Sequence, residues 1–156
     1  MKKRILLFIM VFTMINLAKG QEFNTIPVSS DFDSLQDGWY KFDFQNTYFD
    51  VEFKTGRLVK GIIKWADGSS YSGDLSGTGI SGKGTYIWSD GSRYEGKFKN
   101  HKRHGKGSLI NKDGSKWSGK WVNNQKQGKG KVFNASGEVT QVGVWASNEL
   151  LTETKK

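Results

Sequence analysis

The first twenty positions separate from the rest by pattern alone. A mostly apolar run from Ile5 to Ala18 follows Lys2, Lys3 and Arg4, and Ala18 and Gly20 set small residues around Lys19. The run is about 14 residues long, short of the ~20 that cross a bilayer as a helix. A basic start, a short apolar middle and a small-residue close predict a secretory leader cleaved near Gly20. The expected mature chain starts at Gln21 and is exported, to a periplasm or beyond the cell.

Past the leader, polarity alternates. From Trp39 to Phe44 the rings of Tyr40, Phe42 and Phe44 fall on one face before Gln45-Asn46-Thr47 breaks the run, which predicts a capping hairpin within residues 21–48. Further on, Tyr94-x-Gly96-x-Phe98 and Gly105-x-Gly107-x-Leu109 set apolar and glycine positions at period two. Two short strands follow, with Asn100 to His104 as the expected loop. Such a hairpin buries too little alone, so neighbours must stack into a longer sheet.

That hairpin recurs. Tyr71-Ser72-Gly73-Asp74-Leu75, Tyr94-Glu95-Gly96-Lys97-Phe98 and Trp117-Ser118-Gly119-Lys120-Trp121 stand 23 residues apart, each followed by Gly-Lys-Gly at 82–84, 105–107 and 128–130. Asp90-Gly91-Ser92 and Asp113-Gly114-Ser115 close two units, and Ser136-Gly137 the third; the aspartates are expected to cap turns in which glycine takes a positive φ. A shorter unit precedes them, with Phe49-Asp50-Val51-Glu52-Phe53, Val59-Lys60-Gly61 and Asp67-Gly68-Ser69, and Val142-Gly143-Val144-Trp145 starts a fifth that is not completed. The array is expected over 49–145, in units of about 49–70, 71–93, 94–116 and 117–139 with a partial unit at 141–146. A tail at 147–156 follows, as a short helix or without order.

Tyr-x-Gly-x-aromatic, then Asn100-His101-Lys102-Arg103-His104-Gly105-Lys106-Gly107, then Asp-Gly-Ser, resembles the MORN (membrane occupation and recognition nexus) repeat. The resemblance covers roughly Phe49 to Trp145 and is best over Tyr71 to Gly137. The 71–93 unit departs from it with Ser76-Gly77-Thr78-Gly79-Ile80-Ser81 in place of a basic loop, and Gln127 replaces a histidine. The resemblance implies an all-β fold, an elongated single-layer array of stacked antiparallel hairpins. It also implies binding and scaffolding, with phospholipid among the proposed targets, and not catalysis.

Composition agrees and narrows the chemistry. The chain has 156 residues with 20 Gly, 1 Pro and no Cys, so disulfide frameworks and thiolate metal sites are excluded. His101 and His104 have a ligand-like spacing but no third partner in view, and Asp67, Asp90 and Asp113 belong to turns. No nucleophile elbow, phosphate loop or catalytic triad is present. The expectation is no enzyme, no metal and no cofactor.

Charge is the remaining signal. The net charge is +9, of which the leader supplies four; residues 93–131 hold twelve Lys/Arg against Glu95 and Asp113, while 21–92 are net acidic. Lys60, Lys83, Lys106 and Lys129 recur at one repeat position and are expected to form a column opposite the rings. Two strands apart, about 10 Å, they repel by only ~0.4 kcal/mol in water, so the column also suits a merely solubilising face.

The candidate anion-binding residues are Lys97, Lys99, Lys102, Arg103, His104, Lys106, Lys120, Lys126 and Lys129. Their expected partner is an anionic lipid or envelope glycan surface, bound peripherally rather than by an integral anchor. A protein partner, met by the hairpin edge and surface rings such as Trp145 or Phe133, is the alternative. Export argues against nucleic acid, and sugar stacking competes poorly because most rings occupy packing positions. The pattern leaves oligomeric state open.

Overall fold

The computed structural model describes residues 36–77 and 79–154. The expected leader at 1–20 lies outside the described residues. What is described is one open antiparallel sheet of eleven strands, ordered as in the chain. They are β1 (Gly38–Phe44), β2 (Thr47–Lys54), β3 (Arg57–Trp65), β4 (Ser70–Gly77), β5 (Gly79–Ile87), β6 (Arg93–Lys99), β7 (Lys102–Ile110), β8 (Lys116–Val122), β9 (Gln125–Phe133), β10 (Val139–Ala146) and β11 (Glu149–Glu153). The units 71–93, 94–116 and 117–139 are the hairpins β4–β5, β6–β7 and β8–β9.

Two turn types alternate along the sheet. Within a unit the turn has two residues with positive φ, Asn100 (49°) and His101 (60°) between β6 and β7, Asn123 (48°) and Asn124 (71°) between β8 and β9. Such primed turns match the right-handed twist of the strands they join. The expected Asn100–His104 loop is therefore only Asn100–His101, and Arg103 and His104 belong to β7. Between units, Gly91 N–H donates to the Trp88 carbonyl and Trp88 N–H to the Ser92 carbonyl, both at 2.9 Å. Asp90 accepts from Ser92 N–H (2.8 Å) and Oγ (2.6 Å). It caps the turn as expected, from the third position of the turn Trp88–Gly91.

The rings share one face. Tyr71, Phe98, Tyr94, Trp121, Trp117 and Trp145 form a zigzag of edge-to-face contacts with centroids 5.0–5.5 Å apart. Each such contact contributes about 0.5–1.5 kcal/mol beyond its buried area. Tyr71 thus meets Phe98 of the next unit, Tyr94 meets Trp121 and Trp117 meets Trp145, which ties hairpin to hairpin. Phe49, Val51, Phe53, Leu58 and Ile63 continue the core toward the N-terminus.

The C-terminus departs from expectation. Residues 149–153 are neither helix nor unstructured: β11 pairs with β10 through the turn Ser147–Asn148 and gives the fifth unit its second strand. Trp145 is accordingly buried, 4% exposed, so it offers no surface ring.

Candidate functional site

The opposite face carries the charge, and a backbone irregularity sets it up. In β6–β7 the register shifts between Gly96 and Phe98, and Gly105, the first glycine of Gly-Lys-Gly, has φ of 72°. Gly82 (89°) and Gly128 (72°) do the same in the neighbouring units. These are β-bulges with glycine in the left-handed region, where an L side chain is strained. Each falls inside a unit, and the pairing between these three units, β5 with β6 and β7 with β8, is continuous.

That pairing lines residues up across strands. Trp39 faces Glu52, Glu52 faces Lys60, and Lys60 faces Asp74. Lys83 then faces Lys97, Lys106 faces Lys120, and Lys129 faces Val144. Lys97 and Lys106 border one groove of about 490 Å³ together with Lys83, while Lys106, Lys120 and Lys129 border the next, of about 420 Å³. These pairs share one face and follow one another in a row across the sheet from β1 to β10, in register between the repeats and offset by the bulge within each of them, where Lys97 has no register partner on β7 and Lys120 pairs with Gln127. A second row beside it runs Ser72, Thr85, Glu95, Ser108, Ser118, Lys131. Ser108 Oγ and Ser118 Oγ are hydrogen-bonded at 2.9 Å.

The row is electrically lopsided. Near the N-terminus Glu52 pairs with Lys60 (3.4 Å) and Lys54 (3.2 Å), and these lysines, together with hydrogen bonding, lower its pKa against the opposing effect of desolvation. From β5 to β9, Lys83, Lys97, Lys106, Lys120 and Lys129 are all exposed, and among the described residues none has an ion-pair partner. The expected column is there, with closer pairs in it: β6 and β8 add Lys97 and Lys120, so Lys83 and Lys97, and Lys106 and Lys120, stand directly opposite each other on adjacent strands, about 4.8 Å apart and not 10 Å. Like charges placed directly opposite destabilise a sheet.

Not every expected residue joins this row. Lys99 and Lys102 face each other beside the Asn100–His101 turn. Arg103 and Lys126, at equivalent positions of successive units, stand on the ring face instead. The Arg103 guanidinium lies 4.4 Å from the Trp121 ring centroid and 6.0 Å from that of Trp88, and Nη2 donates to the Asn124 carbonyl at 3.2 Å. Arg103 is only 6% exposed, and burial pushes its pKa down to about 10, partly offset by Tyr94. Lys126 Nζ sits 5.3 Å over the Trp117 ring, its pKa lowered by burial and then by Arg103.

His104 is half-buried in β7, and His101 occupies the turn, its N–H donating to the Ile80 carbonyl at 3.0 Å. Phe133 is half-buried, with Lys116 Nζ 4.3 Å from its ring centroid. The hydroxyl row was missed in the sequence, although Lys83-x-Thr85, Lys106-x-Ser108 and Ser118-x-Lys120 carry it at period two.

Among the described residues no helix is long and apolar enough to cross a membrane, and no group of three or more His, Asp or Glu could hold a metal ion. No curated protein matches the chain. The MORN repeat model matches three consecutive segments, residues 71–93, 94–116 and 117–139, which coincide with β4–β5, β6–β7 and β8–β9. Residues 71–139 are thus three MORN repeats, a class of repeat that forms membrane- or protein-binding modules and is not generally enzymatic.

Proposed function

We propose that the chain is an exported, non-catalytic MORN-repeat module that holds its lysine row against an anionic surface, phospholipid or acidic envelope glycan. The observation that carries this reading is the run of five exposed lysines from Lys83 to Lys129, aligned on one face without carboxylate partners among the described residues. Near an anionic leaflet each lysine contributes about 1 kcal/mol. Five together give about 5 kcal/mol before docking costs, enough for reversible adhesion and not for permanent anchoring.

The test is cosedimentation of the mature chain with anionic and neutral vesicles, and retention on immobilised acidic glycan, over a salt series. Binding that fades with salt and is lost when Lys97, Lys106 and Lys120 become Gln is the expected result. No binding to either anionic surface at low salt refutes it.

A protein partner is the second reading, favoured by Leu150 and Leu151, 37% and 64% exposed on the edge strand β11. A stoichiometric, salt-insensitive complex lost on Leu151→Asp is its signature.

A further inference from the structure

We infer that the ligand of the lysine row is a linear acidic glycan laid crosswise over the strands, carboxylates on the lysines and sugar hydroxyls on the adjoining serines. The inference rests on the anionic-surface reading above and narrows it to one kind of ligand.

Three features of the face select a chain over a plane. The first is shape. The lysines from β5 to β9 form a line, and the row beside it presents Thr85, Ser108 and Ser118 together with Lys131 and with Glu95, whose carboxylate is held by Arg93 Nε at 2.7 Å, while Lys99 and Lys102 extend the line at its other side near the Asn100–His101 turn. A bilayer meets a protein over an area, whereas a single polymer meets it along a track. The second is extent and direction. From β5 to β9 the track crosses four strand spacings, about 19 Å, and it stops at Asp74, beyond which Glu52 already holds Lys60. An anionic polymer is therefore accepted over the repeats and repelled toward β2.

The third feature is the pairing of chemistries. Lysine ammonium groups provide charge-assisted donors to carboxylate oxygens. The serine hydroxyls alongside donate and accept, as sugar hydroxyls do. Lys106, Lys120 and Lys129 together with Ser108 and Ser118 border one groove, so both kinds of group face a single occupant there. A pyranose ring is about as long as the distance between neighbouring strands, so an extended uronate chain returns a carboxylate to the track every one or two strands.

The experiment is a calorimetric titration of the full mature chain with a length series of mannuronate oligomers, with inorganic polyphosphate and phosphatidylglycerol vesicles as separate arms. Affinity is expected to climb with oligomer length until the chain covers about 19 Å of track and to change little beyond. Lys106→Gln with Lys120→Gln should lose about tenfold or more, while Arg57→Gln with Lys112→Gln, the same charge removed off the track, should lose less than about twofold. Ser108→Ala with Ser118→Ala should weaken the oligomers severalfold and leave polyphosphate unchanged. Polyphosphate binding as tightly as mannuronate of equal charge, or indifference to the serine variant, overturns the glycan assignment. Binding of vesicles alone overturns it too while leaving the broader reading intact, and binding of none of these probes overturns both. Equal losses in the on-track and off-track variants overturn the track itself.

Discussion

The phenol ring of Tyr94 on β6 stands over the backbone of Gly107 on β7, where a β-carbon would run into its Oη, Cζ and Cε2 atoms. Tyr71 covers Gly84 and Trp117 covers Gly130 in the same way, so the second glycine of each Gly-Lys-Gly is a seat for its own unit's first ring. Tyr94 Oη also donates to the Lys97 carbonyl at 3.0 Å, which keeps the ring from swinging aside. Gly107→Ala should therefore cost about 1–3 kcal/mol, the usual range for overpacking. The same substitution in a Tyr94→Leu background should cost clearly less, since the seat is then empty. Urea denaturation of the four proteins in that cycle measures the coupling, and additive costs would contradict it.

Ring-on-glycine packing was legible in the sequence because it repeats at a fixed interval with period-two spacing inside each strand. The Asp-Gly-Ser turns were legible for the same reason. The face taken by Arg103 was not. Counting back by two from Gly107 through Gly105 puts Arg103 with the rings, but the basic stretch from Asn100 to His104 has a loop's composition, and that hides the parity. The lysine row was half legible: its repeat position was plain, whereas the contribution of Lys97 and Lys120 depends on strand registers across unit boundaries. Nothing in Glu149-Leu150-Leu151 alternates, so β11 carried no strand signal, and its pairing comes from the β10 edge beside it.

A row of lysines kept one strand apart should weaken the fold. Replacing Lys106 and Lys120, which face each other directly, by Gln should stabilise the protein by about 0.5–1 kcal/mol at low ionic strength. The gain should shrink as salt screens the wild-type repulsion. Thermal unfolding at low and high salt checks this. A loss of stability would mean that these lysines support the sheet, and the case for a ligand would weaken with it.

Arg103 should behave in the opposite way. Its guanidinium is buried against Trp121 and Trp88 and fills ring-face volume, so Arg103→Ala should cost about 2–3 kcal/mol while Arg103→Met, which keeps the packing, costs less. Neither change touches the lysine row. Adhesion to anionic probes should fall far less in Arg103→Met than in Lys106→Gln. Equal losses would show that charge acts diffusely, whatever face bears it.

Truncation after Ala146 removes β11 and with it the hydrogen bond from Thr154 N–H to the Val142 carbonyl. In an array whose strands lie beside their chain neighbours, such damage stays local. Trp145 should become accessible to a fluorescence quencher while hydrogen exchange over 71–139 stays protected. Global loss of protection after truncation would show that the array folds as one indivisible unit.

The ring face also governs behaviour in base. Burial raises the Tyr71 hydroxyl well above its ordinary 10.0, with Asp74 adding to the shift, and burial raises Tyr94 likewise against the opposing charge of Arg103. The native state thus keeps two protons that the unfolded chain releases as pH passes 10.0, so these groups make stability fall as pH rises through that window. Arg103 acts in the contrary sense. Its native pKa of about 10 lies below the ordinary guanidinium value, so between the two the unfolded state holds the extra proton and stability rises with pH. Lys126, also lowered, adds to that side. Two groups thus stand on each side, and their contributions largely offset above pH 10.0. Tyr94→Phe should make the slope of stability against pH more positive, and Arg103→Met should make it more negative by removing a compensating group. Urea midpoints at a series of alkaline pH values measure both slopes, and an identical slope in all three proteins would sink the assignment.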